Sequence, residues 1–287
     1  MERLNIGVVV TDTGISAGLA AAAARHPDVE VHAIGPRDDP SAAMAGLIVD
    51  VPLDQREGSL STFLDRWQVP ILCEMPAAGT RAGANMIARH PETNTLFSMN
   101  PLHYHLPTQR LREELAHAQD PLETVFAAWR FKRTATTPVA LPQIIDYIGS
   151  IIAHPLTRVS AMQRAAPPVL LVLLRYASDV VVSLEVGDHL PETLSTPSEL
   201  LIECFCRESV YHSAPEHQAI IIEGHAHTRR MWAREPANEM VSAFVAAIQS
   251  GRPPQRGIND DLRVLAQCEG ITDAAHGRHP NMGGWLG

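Results

Sequence analysis

The chain has 287 residues, of which 45% are apolar and 19% charged, and its formal net charge at pH 7 is −9. This length and apolar content allow two domains with sizeable cores, whereas the acidic balance argues against a nucleic-acid-binding surface. The sequence contains no run of eighteen apolar residues of the kind that spans a membrane. Its four cysteines are too few for a disulfide framework. Because the N-terminus shows no signal-peptide pattern, we expect a cytoplasmic protein with reduced thiols.

The first hundred residues alternate between apolar, strand-like runs and helical segments. Residues 4–10 form a continuous β-branched run, which is typical of a strand buried on both faces. A turn, an alanine-rich helix over 15–26 and a strand over 29–34 follow, and this order is the frame of a dinucleotide-binding fold. The other predicted elements are strands over 45–51, 69–73 and 95–98 and helices over 59–67 and from 77–79 to 89.

The next part of the chain predicts a second sheet with helices. A helix over 106–118 precedes a strand over 124–133, and a further helix covers 141–152, where Pro142 is tolerated in the first turn. Several of the following strands alternate apolar and polar residues, which is typical of an antiparallel sheet with one covered face. These predicted strands are 158–163, 168–176, 180–186, 199–206, 209–212 and 219–223.

Two helices are predicted near the end of the chain. Apolar residues recur without a gap over 237–248, and Gly251 ends this helix. Asn259 is a predicted N-cap for the last helix, with Asp260 and Asp261 placed favourably in its first turn.

Three segments carry a resemblance to a known family. Residues 71–76 (ILCEMP) resemble the cysteine-glutamate-lysine-proline signature of the Gfo/Idh/MocA oxidoreductases. Residues 100–107 resemble the segment that opens the family's second domain, and 250–275 resemble its glycine-arginine-proline-proline turn and closing helix. The resemblance covers nearly the whole chain, but 38–44 replaces a helix and a strand of the family.

The resemblance implies an α/β fold class with two domains. The first, residues 1–100, is an abbreviated N-terminal Rossmann domain, about one βα unit shorter than usual. The second, residues 101–287, is a C-terminal α+β domain with an open, mostly antiparallel sheet.

The glycines of a nucleotide-binding turn are mostly missing after the first strand. The family's glycine positions fall on Val10 or Thr11, on Asp12 or Thr13, and near Ser16, so a Cβ stands where the pyrophosphate must lie. The acidic residue that would hold the ribose is also absent, although an arginine there would suit a 2′-phosphate. We therefore expect NAD(P) binding to be weak or absent. The candidate cofactor-contacting residues are Thr11, Thr13, Gly14, Ile15, Ser16, Arg37 and Pro52.

The resemblance also implies that both reactive side chains of the family are replaced. Met75 stands in place of the lysine and cannot carry charge. Gln143 stands in place of the histidine, and a carboxamide cannot exchange a proton near neutral pH. Glu74 is a candidate acid whose pKa burial would raise; alternatively, it caps the helix that follows Pro76. The candidate catalytic residues are Glu74, His105, Gln143 and Asp146, and the candidate substrate contacts are Met75, His103 and Tyr104.

Two functions stay open. The first is an enzyme that binds a small metabolite in the cleft between the domains, either with an altered NAD(P) pose or with non-redox chemistry such as elimination, isomerisation or cyclisation. The second is a non-catalytic scaffold or a partner subunit of an intact paralogue. The two His-x-His pairs lack a carboxylate or cysteine at ligand spacing, so no metal is expected. Apolar residues on both faces of 169–174 predict a homo-oligomer, at least a dimer.

Overall fold

The computed structural model describes residues 3–9, 18–35, 38, 43–132, 137–214, 219–223, 227–230 and 235–278. The chain divides into two compact units, one formed by Met1–Tyr104 with Arg234–Leu265 and the other by His105–Ala233 with Ala266–Gly287. The candidate cofactor residues Thr11, Thr13, Gly14, Ile15, Ser16 and Arg37 lie outside the described residues. Among the described residues, no helix is long and apolar enough to cross a membrane.

The first unit contains a five-stranded parallel sheet with the strand order β2-β1-β3-β4-β5. Its strands are β1 (Leu4–Val9), β2 (Val29–Ala33), β3 (Gly46–Val49), β4 (Ile71–Glu74) and β5 (Leu96–Met99). Its helices are α1 (Leu19–Arg25), α2 (Leu53–Arg66), α3 (Arg81–Ala88) and α6 (Pro236–Ser250), together with the first part of α7 (Ile258–Ala275). The predicted strands therefore form one parallel sheet.

The parallel sheet lies between two layers of helices because its strands are apolar on both faces. Alternate residues of β3 serve opposite layers: Leu47 and Val49 pack with α2, α3 and the start of α7, whereas Ile48 packs with α1 and α6. Phe244 of α6 meets Phe97 of β5 edge to face, with ring centroids 5.2 Å apart. This packing explains why 234–265 joins the first unit, although the sequence assigns it to the second domain.

The second unit contains an eight-stranded sheet with the order β13-β12-β11-β10-β6-β9-β8-β7. Only the β6–β9 pair is parallel, so the predicted open, mostly antiparallel sheet is confirmed. Its helices are α4 (Leu106–His117) and α5 (Thr137–Ile152). Its strands are β6 (Leu122–Phe131), β7 (Leu156–Ala165), β8 (Pro168–Tyr176), β9 (Val181–Gly187), β10 (Ser198–Cys206), β11 (Val210–Ala214), β12 (Ala219–Glu223) and β13 (His227–Arg230).

The starts of the two helices α5 and α7 are among those that differ from the prediction. α5 begins at Thr137, so Pro142 lies inside the helix and not at its start. Proline removes one backbone hydrogen bond there, but the preceding turn buries Ala140 and Leu141, which offsets the loss. α7 begins at Ile258 and not after Asn259; the N–H of Gly257 donates to the Asp260 carboxylate at 3.1 Å.

Candidate functional site

Polar residues follow three neighbouring strands of the first unit. Asp50 comes directly after β3, Glu74 is the last residue of β4, and Asn100 comes directly after β5. Since these strands are parallel neighbours, their carboxyl ends share one edge of the sheet. In doubly wound sheets ligands bind beyond this edge. The candidate site of the first unit is therefore built from the ends of β3, β4 and β5.

The backbone around position 75 is held by a buried arginine. The Arg56 guanidinium donates to the carbonyl oxygens of Glu74 at 2.6 Å, Pro76 at 2.7 Å and Val51 at 3.2 Å. Arg56 is only 6% exposed, and its guanidinium provides hydrogen-bond donors for carbonyl groups that would otherwise be left without them. It thereby joins the segment after β3 to the segment after β4.

A buried aspartate holds the same segment. The Asp261 carboxylate of α7 accepts the N–H of Ala77 at 2.6 Å and the hydroxyl of Ser98 at 2.8 Å. Asp261 is fully buried, and these donors offset part of the cost of removing its charge from water. The N–H of Met75 donates to the carbonyl of Met99 at 2.9 Å. We call these contacts of Arg56, Asp261 and Met99 the β4-end framework.

Of the three side chains at the end of β4, those of Cys73 and Met75 are unreactive and that of Glu74 is not. Met75 is 1% exposed and apolar. Burial raises the pKa of the Cys73 thiol from 9.0 to about 12, so Cys73 is a protonated packing residue near neutral pH. Glu74 is half-buried and is the one carboxylic acid of the signature segment.

Glu74 does not cap the helix that follows Pro76. α3 begins at Arg81, and its N-cap is Thr80, whose hydroxyl accepts the N–H of Gly83 at 3.1 Å. Thr80 is a preferred N-cap residue, and three residues separate it from Pro76. The capping alternative is therefore wrong, and the acid role of Glu74 stays a prediction.

The remaining candidates of the first unit lie beside the same edge. Pro52 is exposed and precedes the first residue of α2. His103 ends a short 3₁₀ turn, Pro101–His103, and is 7% exposed. The Asn100 side chain begins this turn by accepting the N–H of Leu102 at 3.0 Å. Tyr104 is half-buried and packs against the α1–α6 side of the core.

The other catalytic candidates lie in the second unit. His105 precedes α4, and its Nδ1 atom is buried without a hydrogen-bond partner among the described residues. Burial lowers the pKa of His105 below 6.5. Gln143 and Asp146 are each 3% exposed and lie one turn apart on α5. The Tyr147 hydroxyl of α5 donates to the Thr108 carbonyl of α4 at 2.7 Å, which ties the two helices together.

The sequence did not reveal the role of Arg56, and it revealed that of Asp261 only in part. Arg56 falls within an apolar stripe with Leu53, Leu60 and Leu64, and a charged residue in such a stripe is the signal that could have revealed it. The helix predicted over 59–67 begins six residues after the actual start of α2 at Leu53. Asp261 was predicted as a first-turn residue of α7, which is correct, but its burial was not predicted.

One unit is built on a five-stranded parallel sheet and the other on an eight-stranded mixed sheet. No family model matches the sequence. No curated protein sequence matches it significantly.

Solved structures do match. GenD2 from gentamicin A biosynthesis, in complex with NAD, is 16% identical, with 97% of this chain and 96% of that chain covered and a TM-score of 0.74. An oxidoreductase from Agrobacterium radiobacter, in complex with NAD+, L-tartaric acid and magnesium, is 13% identical, with 99% and 100% covered and a TM-score of 0.78. A myo-inositol dehydrogenase from Corynebacterium glutamicum is 14% identical, with 96% and 98% covered and a TM-score of 0.75. The chain therefore has the fold of the Gfo/Idh/MocA-type dehydrogenases.

Proposed function

We propose that this protein is an enzyme that acts on a small, hydroxyl-rich metabolite without the lysine and histidine chemistry of the Gfo/Idh/MocA dehydrogenases. One observation carries the proposal: the β4-end framework is complete, but the side chain that it holds at position 75 is a buried methionine. The similar structures in complex with NAD, and one with L-tartaric acid, support an oxidoreductase fold and a polar substrate class.

Each unit supplies its own candidate groups in this proposal. Glu74, at the carboxyl edge of the parallel sheet, would donate or remove a proton. In the second unit, the carboxylate of Asp146 and the neutral ring of His105 are the groups able to exchange a proton. Gln143 would orient a carbonyl or hydroxyl through hydrogen bonds. Such groups suit proton abstraction beside a carbonyl, as in elimination or isomerisation, and need no hydride acceptor.

We further propose that nicotinamide use is altered or absent. The support is chemical: Met75 and Gln143 stand at the positions where, by the resemblance, the lysine and histidine of the dehydrogenases act, and neither can carry the proton of a substrate hydroxyl. The non-glycine residues of the turn after the first strand support it as well.

The test uses the full chain in two assays. A panel of polyols, sugar acids and hydroxy acids is screened by thermal shift, and ligands that raise the melting temperature are incubated with enzyme and followed by mass spectrometry without cofactor. We expect conversion in the absence of NAD(P), and its loss in the Glu74→Gln variant. Glu92→Gln is the matched control, because Glu92 lies in the turn before β5 at the opposite edge of the sheet. Substrate-dependent formation of NADH or NADPH by the wild-type protein would contradict the proposal.

A non-catalytic partner subunit is the second candidate. It is favoured by the same replacement of both proton-carrying side chains. The two candidates separate in one experiment: a partner subunit would convert no member of the panel, and would raise the turnover of an intact paralogue when the two are mixed.

A further inference from the structure

A groove opens in the second unit between the end of α4 and the turn that joins β10 to β11. Its volume is about 560 Å³, which is within the range of small-molecule sites, roughly 300–1,000 Å³. We call it the α4-end groove, and its lining includes Glu114, His117, Asp120, Arg207, Glu208 and Tyr211. His105 precedes the other end of this 12-residue helix, which is roughly 18 Å long. The groove is therefore separate from the candidate catalytic groups.

Asp120 is a fixed negative charge in the wall of the α4-end groove. Its carboxylate Oδ2 accepts the backbone N–H of Glu208 at 2.8 Å and the hydroxyl of Ser209 at 2.9 Å. Desolvation alone would raise the pKa of Asp120, but these hydrogen bonds, together with one from the backbone of Arg207, outweigh it and lower the pKa below 3.8. Asp120 is therefore ionised near neutral pH, and its position is set by the turn that it holds.

Negative charge dominates the rest of the lining. The carboxylate of Glu208 is exposed, and Glu114, which also interacts with Arg110, adds another. The last carbonyl groups of a helix lack partners within it and give its C-terminal end a partial negative charge. The guanidinium of Arg207 is the opposing charge, and Glu123, 3.4 Å away, offsets it. The electrostatics of the groove therefore favour a cation.

A buried tyrosine supplies a second, independent sign of a ligand. Tyr211 is only 6% exposed and lines the groove, and its hydroxyl group forms no hydrogen bond with the described residues. Buried hydroxyl groups normally have a partner. The phenol oxygen can accept an N–H, and the face of the ring attracts a cation. His117 is less available, because its Nδ1 atom already bonds to a carbonyl group of α4 at 2.7 Å.

We infer that the α4-end groove binds a small aliphatic amine in its protonated form. The ammonium group would lie near Asp120, Glu208 and the C-terminal end of α4, where both the carboxylates and the helix dipole stabilise it. One of its N–H groups would donate to the Tyr211 oxygen. One helix end and one turn bound the groove, so a small molecule fits it better than an extended peptide. The inference goes beyond the proposed function and does not depend on it.

The experiment compares putrescine, 1,4-butanediol and succinate, which share a four-carbon chain but are cationic, neutral and anionic. Binding to the full chain is measured by calorimetry at low salt, where screening is weakest. The variants are Glu208→Gln, Asp120→Asn and Tyr211→Phe. Glu208 is exposed and makes the first variant safe for folding, whereas asparagine at 120 keeps an oxygen acceptor for the turn. Glu192→Gln is the matched control, because Glu192 is exposed between β9 and β10, at the opposite end of the same sheet.

We expect saturable, one-to-one binding of putrescine, with 1,4-butanediol and succinate at least about tenfold weaker. Glu208→Gln and Asp120→Asn should each weaken putrescine binding by about threefold or more, and Tyr211→Phe by about twofold or more. The change for Glu192→Gln should be less than about 1.5-fold, since distant exposed charges are screened. Tyr211→Phe leaves the net charge unchanged, so its effect separates a local site from general attraction to an acidic protein.

Three outcomes would overturn the inference. The first is that the unaltered protein does not bind putrescine saturably, or binds the diol equally well. The second is that Glu192→Gln weakens binding as much as Glu208→Gln does. The third is that Glu208→Gln and Tyr211→Phe both bind putrescine as the unaltered protein does. None of them bears on the proposed function, which is tested by turnover without cofactor.

Discussion

The charged groups at the ends of β4 and β3 differ in how deeply they are buried. At β4, the buried charges of Arg56 and Asp261 are directed at the chain's own backbone. At β3, the half-buried carboxylate of Asp50 accepts the backbone N–H of Ala20, the second residue of α1. The comparison teaches that fully buried charges fix the backbone at the end of β4 whatever side chain stands at position 75. Removing such a charge leaves buried groups unpaired and costs stability, whereas the framework contact of Met75 is made by its backbone N–H and does not depend on its side chain.

The strongest test of the framework is Asp261→Ala. This change leaves the N–H of Ala77 and the hydroxyl of Ser98 buried without their acceptor. We expect a loss of about 4 kcal/mol in the free energy of unfolding, since each buried unsatisfied donor costs roughly 1–3 kcal/mol. Urea unfolding measures the loss.

The neighbouring Asp260→Ala is the control for this change. Asp260 pairs with Arg263 and accepts the N–H of Gly257 near the surface, so its loss should cost about 1 kcal/mol. Equal losses for the two variants would show that Asp261 is no more than a helix-end residue.

Arg56→Met tests the opposite charge of the framework. Methionine retains apolar contacts within α2 but leaves the carbonyls of Val51, Glu74 and Pro76 without the guanidinium. We expect a loss of about 3 kcal/mol. Arg66→Met is the control, because Arg66 is exposed in the last turn of the same helix and its guanidinium donates to the carbonyl of Asp38. If Arg56→Met is as stable as Arg66→Met, Arg56 does not carry the framework.

Met75→Lys tests what a buried charge does at position 75 while the hydrogen bonds of the β4-end framework stay in place. Since Met75 is 1% exposed, the ammonium would be desolvated, and we expect a loss of about 2 kcal/mol. We also expect no substrate-dependent NAD(P)H formation, because one restored group does not replace a catalytic set that acts as a unit. Met86→Lys is the control: Met86 is 55% exposed on α3, and its substitution should leave stability unchanged. Turnover in Met75→Lys would show that the remaining site is intact.

The sheet could be predicted from the sequence because its signal is local. Continuous apolar runs at β1, β3 and β4 indicate strands covered on both faces, and their helices follow from apolar periodicity. β13 was not predicted, because its sequence HTRR has neither signal, and it forms by pairing with β12.

The candidate site could be predicted only in part. Glu74 and Met75 follow a recognisable strand end, so their place at the sheet edge was predictable. Asp50 and Asp261 accept hydrogen bonds from residues 30 and 184 positions away, and Arg56 donates to carbonyls 18 and 20 positions away as well as to that of Val51. Local patterns report helix faces and caps, not which distant amide a carboxylate will meet. These three residues therefore became apparent only in three dimensions.

One face of the second sheet carries exposed apolar side chains, whereas the residues of the β4-end framework are buried. Met162, Leu171 and Leu173 are 62%, 41% and 51% exposed and lie side by side on β7 and β8. We propose that a second copy of the chain covers this strip, because exposed apolar patches mark association sites. Light scattering at micromolar concentration should give twice the 31.3 kDa chain mass, and Leu173→Arg should restore the monomer mass. Leu194→Arg, at another exposed leucine, should stay dimeric. A monomeric wild-type protein would contradict the proposal.

The smallest expected effect concerns His105, the buried histidine of the second unit. Burial lowers its pKa in the folded state below the ordinary 6.5, so the unfolded chain binds the proton first as the pH falls. The contribution of the neutral ring to stability is therefore complete above about pH 6.5 and is lost as the pH falls toward the folded-state pKa. Asparagine at this position cannot titrate, and it suits the N-cap that His105 occupies before α4. Melting temperatures of the wild-type protein and His105→Asn at pH 7.5, 6.5 and 5.5 should diverge, with the wild-type protein losing more at low pH. A difference between the two proteins that stays constant over this range would show that protonation of His105 does not oppose folding.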